Sequence, residues 1–374
     1  MILKNLKIIQ LDRIIENGFI DFEDGIIKEV KEGEPNNPAV DCHGLIAFPG
    51  FIDCHIHGSL GYDFMDATPE QIHEIGEVLY KEGVTTFLAT TLTSDQESLK
   101  KAVNNAYEAK KNTPNLLGTH LEGPYISIKY KGAQNEAFIR NPSTKELDEL
   151  IEASNGNIRY ISLAPENEGA IEFIKYAVSK NVVCSLGHSD ATFEQAMLAF
   201  EAGATNVTHT HNAMSGYHHR KPGLLAAAMF AKNIYTEVIC DTIHVCPDTI
   251  KTYYNIVGSD KFMIITDALQ AKHSTVDTFK LFGLDCIRQN GAAYLVNGGN
   301  LAGSLLNFDQ GVRNVKAITN CSLIDVMKIS SYNQAQSLGL KDRGELANGK
   351  LADIVLMDEN LNLKEVYKLG KKVY

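Results

Sequence analysis

Eight short apolar runs recur between residues 48 and 268, alternating with helical stretches. They cover 48–57, 85–92, 116–122, 159–165, 182–188, 206–211, 236–244 and 262–268. Apolar runs of this kind read as strands buried on both faces, as in a parallel sheet. The intervening stretches 69–82, 95–111, 144–153, 168–180, 192–202 and 247–257 are amphipathic. Thr68 before Pro69-Glu70, and Ser94 before Asp95, supply helix-start signals. Eight strand–helix units in succession predict an α/β fold, a (β/α)8 TIM barrel. An insertion of loop and hairpin character is expected over 270–303. Helices at about 304–318 and 322–337 complete the ring.

Both ends of the chain have a different texture. Residues 1–47 read as short strands with turns, and Asp24-Gly25 between two alternating segments is a hairpin signal. Residues 344–374 return to strands, over 349–358 and 363–369. The expectation is a small β-sandwich domain formed by both termini, 1–47 and 344–374, with the barrel domain over 48–343.

Composition narrows the function. The formal net charge of −11 argues against a general nucleic-acid surface and against docking on anionic lipid. No apolar run reaches the length of a membrane span, and Met1–Arg13 has no signal-peptide core. The seven cysteines are scattered and form no Cys-x-x-Cys pair, so a disulfide framework is not indicated and a reducing cytoplasm is expected.

In a (β/α)8 barrel the chemistry sits at the C-terminal ends of the strands. Here those ends carry His55 and His57, His120 and Glu122, His188, His209 and His211, Asp241 and His244, and Asp267. His55 and His57 are two apart on one strand, so their imidazoles share a face. Two convergent imidazoles can hold a divalent metal. Glu122 offers oxygen to such an ion and is placed to bridge two of them. His188 and His209 add imidazoles from neighbouring strands. Asp267, on the last strand, can take a proton from water and return it to a leaving group. His120 and His211 are read as supports for neighbouring groups or as packing. His218, His219 and His273 fall in loops, solvated or lining a substrate pocket. His73 is expected exposed on a helix, and His43 in a loop without function.

These stretches resemble the amidohydrolase superfamily, and within it the N-acetylglucosamine-6-phosphate deacetylase family. The matching segments are 49–58 (Pro-Gly-Phe-Ile-Asp-Cys-His-Ile-His-Gly), 118–124 (Gly-Thr-His-Leu-Glu-Gly-Pro), 185–192, 208–214 and 264–268, in the family's order along nearly the whole chain. The resemblance implies hydrolysis of the N-acetyl amide of an amino-sugar phosphate in the cytoplasm by a homodimer. It implies a divalent metal (Zn, Fe, Mn or Co), one or two ions per subunit. Glu122, His188 and His209 would hold the catalytic ion, with His55 and His57 available for a second. Asp267 would be the general base and then the acid. Asn212, Ala213, Arg220 and His244 would bind the sugar phosphate, and Leu301, Ala302, Gly303 and Ser304 would line the acetyl end. Ala133 and Gln134 would lie near the substrate carbonyl, where some members have a histidine. An acidic protein that binds an anion needs a local cation, and Arg220 can make two parallel bonds to phosphate.

Three other readings stay open. One is the N-acetylgalactosamine-6-phosphate deacetylase, which differs at one hydroxyl. Another is a cyclic-amide hydrolase or deaminase, although the fourth strand ends Ala164-Pro165-Glu166 with no lysine to bridge a metal pair. The third is a non-catalytic sugar-phosphate-binding regulatory protein.

Overall fold

All eight expected barrel strands form and lie side by side in one parallel sheet. They are β1 (Phe51–Ile56), β2 (Val84–Thr91), β3 (Leu116–Glu122), β4 (Ile158–Leu163), β5 (Val183–Leu186), β6 (Asn206–Val207), β7 (Tyr235–Ile239) and β8 (Phe262–Ile265). The computed structural model describes residues 1–281 and 283–374. Phe282, within the insertion expected over 270–303, lies outside the described residues. Helices α1 (Pro69–Leu79), α2 (Gln96–Lys110), α3 (Thr144–Ala153), α4 (Ala170–Ser179), α5 (Phe193–Glu201), α6 (Leu224–Phe230), α7 (Pro247–Val257) and α8 (Phe308–Thr319) cover the outside. Thr68 caps α1 through a reciprocal bond with Gln71, as its position before Pro69 predicts. At α2 the capping side chain is Asp95, which accepts from the Ser98 amide, rather than Ser94.

The barrel closes where β8 meets β1. The Asp267 amide donates to the His55 carbonyl at 2.8 Å, and the His57 amide to the Ala268 carbonyl at 2.8 Å. Below that seam the buried Asp53 carboxylate accepts the Thr266 hydroxyl at 2.6 Å. The first and last strands, and the site residues on them, are therefore held to one another.

Four departures from the sequence reading have local causes. The strand expected over 48–57 divides at Gly50: Ile46–Pro49 pairs with the terminal strands Ile2–Ile9 and Ile354–Met357, and only Phe51–Ile56 enters the barrel. A Cβ at Gly50 would fall 2.0 Å from Thr85 Oγ1, so the crossing between sheets requires glycine. Strands β5, β6 and β8 stop two to four residues short of their expected ends, because His188, His209 and Asp267 take left-handed φ values of 46°, 32° and 48°. Helix α6, Leu-Leu-Ala-Ala-Ala-Met-Phe, is almost uniformly apolar and carries no helical stripe to read. The insertion is a four-stranded antiparallel sheet, Thr278–Leu281, Leu284–Gln289, Ala292–Leu295 and Leu301–Ser304.

The remaining strands from both termini form one sheet that folds over, its Ile26–Glu32 edge meeting the chain just before Ile354–Met357 through a bridge between Ile26 and Leu351, the small β-sandwich. It encloses its own core of Leu3, Leu6, Ile20, Ile354 and Leu356 among others. Asp24 and Gly25 both take positive φ and join Ile14–Glu23 to Ile26–Glu32 in the two-residue turn the sequence predicts. No described helix is long and apolar enough to cross a membrane.

Candidate metal centre and active site

Beyond the strand ends, six side chains converge in two groups of three: Glu122 with His188 and His209, and His55 with His57 and Asp267. In the first, His188 Nε2 and His209 Nε2 stand 3.2 and 3.1 Å from Glu122 Oε1 and 3.0 Å from each other. In the second, His55 Nε2 and His57 Nε2 are 3.3 Å apart and 3.5 and 3.2 Å from Asp267 Oδ1. Glu122 spans both groups, with Oε1 3.3 Å from His55 Nε2 and Oε2 3.3 Å from His57 Nε2.

The opposite ring nitrogens show which atoms are free to ligate. The Nδ1 atoms of His188, His209 and His57 meet the carbonyls of Tyr130 (2.7 Å), Asn212 (3.2 Å) and Thr90 (3.3 Å). A carbonyl can only accept, so each Nδ1 carries the proton and each Nε2 is left with a lone pair. Within each group, then, imidazole lone pairs face one another and a carboxylate with no hydrogen between them. Such a set is short of positive charge, and a divalent cation with mixed nitrogen and oxygen ligands fits it. The titration behaviour agrees. Burial works against charge on His57, yet the Asp267 and Glu122 carboxylates outweigh it and lift its imidazole to about 9. Without a metal this imidazole takes up a proton instead.

Backbone strain is concentrated at the same place. The left-handed conformations of His188, His209 and Asp267 cost roughly 1–3 kcal/mol each for residues with a Cβ. The strands hold these residues there all the same, and each strained turn directs its side chain at the cluster.

A cavity of about 390 Å³ opens above the two groups. Its wall includes His57, Glu122, His188, His209 and Asp267, together with Ala133, Gln134, Asn212, Ala213, His244, Leu301, Ala302 and Gly303. His55 lies beneath the floor, fully buried. Asn212 Nδ2 is buried and has no partner, a donor left for a ligand. His244 Nδ1 is held by Asp241 at 2.6 Å, which leaves Nε2 as its unengaged nitrogen. Gln134 Nε2 donates to Glu122 Oε2 at 2.6 Å while its Oε1 accepts the Thr93 amide at 2.7 Å. It therefore grips a metal-site carboxylate, and one Nε2 hydrogen remains for a ligand.

Several expectations need correcting. Arg220 does not line the cavity of its own chain. It is exposed on the 216–223 loop, its guanidinium 2.6 Å from His219 Nε2, in a turn whose Arg220 and Lys221 amides close onto His218 Nδ1. Ser304 is fully buried, and its amide donates to the Asp267 carbonyl at 2.8 Å in the closing seam, so it supports the wall from behind. His273 is tied to the buried Glu82 at 2.7 Å and does not face the cavity. His73 is half-buried against Thr113. The sequence reading missed Leu92, Asn300 and the Ile128–Gly132 segment, all of which line the cavity.

Comparisons with known proteins agree with this geometry. The amidohydrolase family model matches residues 46–373. The N-acetylglucosamine-6-phosphate deacetylase of Lysinibacillus sphaericus is 36% identical over 99% of this chain and 97% of its own length. The N-acetylgalactosamine-6-phosphate deacetylase of Escherichia coli O157:H7 is 32% identical over 96% of each chain. Among solved structures, a mutant of the Mycobacterium smegmatis N-acetyl-D-glucosamine-6-phosphate deacetylase in complex with N-acetyl-D-glucosamine-6-phosphate superposes with a TM-score of 0.95, at 29% identity over 100% of this chain and 99% of that one.

Proposed function

This chain belongs to the amidohydrolase family, and we propose that it hydrolyses the N-acetyl amide of N-acetylglucosamine 6-phosphate to glucosamine 6-phosphate and acetate. The observation that carries the reading is Asp267 beside the Glu122, His188 and His209 group at the floor of a cavity, in a chain similar to such deacetylases from end to end.

Glu122, His188 and His209 would hold one divalent ion, and His55, His57 and Asp267 have the donors that would hold a second. When bound, the metal supplies Lewis acidity, making a water easier to deprotonate and an acyl carbonyl easier to attack. Asp267 takes the proton of the attacking water and gives it to the amine nitrogen as the carbon–nitrogen bond breaks. Burial pushes its carboxyl up, but His55 and His57 hold it below the ordinary carboxylate value, so it is ionised and ready to accept. Asn212, Ala213 and His244 orient the sugar. Ala133, Gln134, Leu301, Ala302 and Gly303 enclose the acetyl end, and Gln134 also fixes Glu122.

The phosphate needs a cation. Among the described residues lining the cavity only Lys129 and Lys131 are cationic, and both are paired, with Asp190 at 2.8 Å and Glu136 at 2.5 Å. Arg220 is instead exposed on the 216–223 loop, and Tyr217 and Pro222 of that loop border an apolar depression with Phe193, Met229 and Phe230. That arrangement supports a homodimer in which Arg220 of each subunit reaches the phosphate in the other. The setting is the cytoplasm, and the free state of all seven cysteines suits a reducing compartment.

The likeness to an N-acetylgalactosamine-6-phosphate deacetylase favours a second reading, the C4 epimer as substrate. Assays of acetate and free amine released from both epimeric 6-phosphates decide between them. No release from either removes the deacetylase reading altogether.

A further inference from the structure

Below the floor of the cavity a carboxylate sits where an apolar strand gives no reason for one. Glu237 lies in the middle of β7, in the run Tyr-Thr-Glu-Val-Ile, and is fully buried. A buried carboxylate is costly unless it is partnered. Its Oε1 accepts the hydroxyl of Tyr160, on β4, at 2.5 Å, and its Oε2 lies 3.4 Å from His55 Nδ1. Tyr160 is also fully buried. Between them His120 packs edge to face, its ring 4.5 Å from Tyr160 and 4.6 Å from His55. Hydrogen bonds to the Cys54 carbonyl (3.0 Å) and the Ser162 hydroxyl (2.7 Å) fix that ring in place.

His55 differs in this respect from the other three histidines of the site. The Nδ1 atoms of His57, His188 and His209 rest on neutral backbone carbonyls, whereas that of His55 faces a carboxylate. An anionic acceptor holds the Nδ1 proton more strongly, commits Nε2 to ligation and makes it a better donor to a cation.

We propose that Glu237, oriented by Tyr160, is a positioning residue that sets the tautomer and angle of His55 and thereby gives the His55, His57 and Asp267 group its affinity for a divalent ion. It acts through His55 and touches neither substrate nor reacting atoms. The inference rests on the reading above that this group binds a second ion.

The test is metal binding without substrate. Chelator-stripped wild type, Glu237→Gln, Tyr160→Phe and His55→Ala proteins are titrated with Zn²⁺ alone against a competing chelator, with bound metal measured by elemental analysis and folding by circular dichroism. Expected are two equivalents in the wild type and loss of one in His55→Ala. In Glu237→Gln one equivalent should weaken by about 10–100-fold while the other is unchanged. Tyr160→Phe, which removes only a hydroxyl, should weaken the same equivalent by a smaller factor. Two equivalents of wild-type affinity in Glu237→Gln overturn the role of Glu237 and leave the two-ion reading standing. Equal weakening of both equivalents in a folded Glu237→Gln or Tyr160→Phe protein also overturns it, since that is the mark of a general structural role. A wild type that binds one equivalent, unaltered in His55→Ala, overturns the two-ion reading and this inference with it.

Discussion

Replacing Glu82 by glutamine should destabilise the protein by about 3–5 kcal/mol at pH 7. Glu82 ends the single 3-10 turn after α1, and its side chain is 1% exposed. Its Oε2 lies 2.8 Å from Nζ of Lys272, also 1% exposed, and accepts the Phe308 amide at 2.8 Å. Lys272 belongs to the turn just after Asp267, and its carbonyl accepts the Leu60 amide at 2.8 Å and the Ser59 hydroxyl at 3.1 Å. The pair thus anchors the loop behind Asp267, which is itself bonded to the loop behind His57. Two unit charges 2.8 Å apart attract by about 6 kcal/mol at an effective dielectric of 20. Glutamine removes that attraction and leaves a buried ammonium without its paired carboxylate.

The pH dependence has a definite sign. Burial pushes the Glu82 carboxyl up, but Lys272, His273 and the Phe308 amide outweigh it and hold it below the ordinary 4.5. The stabilisation is therefore present above pH ~4.5 and lost as pH falls through the depressed value. The gap between wild type and Glu82→Gln should be fully present at neutrality and shrink in acid. Urea denaturation followed by circular dichroism across that range, at constant metal content, measures it. A gap below about 1 kcal/mol at pH 7, or one that widens in acid, would refute the reasoning.

Asp267→Asn should keep the ion of the Glu122, His188 and His209 group and substrate binding but lose at least ~10²-fold in kcat, measured by steady-state kinetics beside elemental analysis; near-normal turnover removes Asp267 from proton transfer. Arg220→Ala should weaken use of the 6-phosphate substrate by roughly 1.5–3 kcal/mol in kcat/KM while leaving unphosphorylated N-acetylglucosamine little changed, and equal losses on both would make Arg220 structural. Mixing Arg220→Ala with Asp267→Asn subunits should recover part of the activity if the arginine serves the other subunit's site, and recovery of none contradicts that arrangement. The His55→Ala/His57→Ala double variant should hold one equivalent of metal where the wild type holds two, with reduced kcat; unchanged content and rate would show that the pair does not ligate.

Much of the fold was legible because its signals are local. Eight buried strands announce themselves as apolar runs, and Thr68, Pro69 and the Asp24-Gly25 pair act within a few residues. The convergence of the candidate metal ligands was legible too, since barrel topology brings all strand ends to one face and polar residues there stand out against apolar runs. What escaped reading depends on distant partners. Nothing near Glu82 signals that Lys272, 190 residues on, will neutralise it. Glu237 is visible as a charge in an apolar strand, but its partners Tyr160 and His55 lie on other strands. Strand ends were drawn too long at His188, His209 and Asp267, because side-chain type does not report a left-handed backbone that the surrounding fold imposes. Arg220 was assigned from the resemblance with support from charge, and neither says which way an exposed loop turns.

The most direct test of the account is the stoichiometry of products and its dependence on metal. Chelator-stripped protein and protein reloaded with a divalent ion are each given N-acetylglucosamine 6-phosphate, and acetate and glucosamine 6-phosphate are quantified together. The account predicts no measurable turnover in the stripped protein, and restored release of the two products in equal amounts after reloading. Turnover that survives complete removal of metal, or a reloaded protein that releases no acetate, would contradict it.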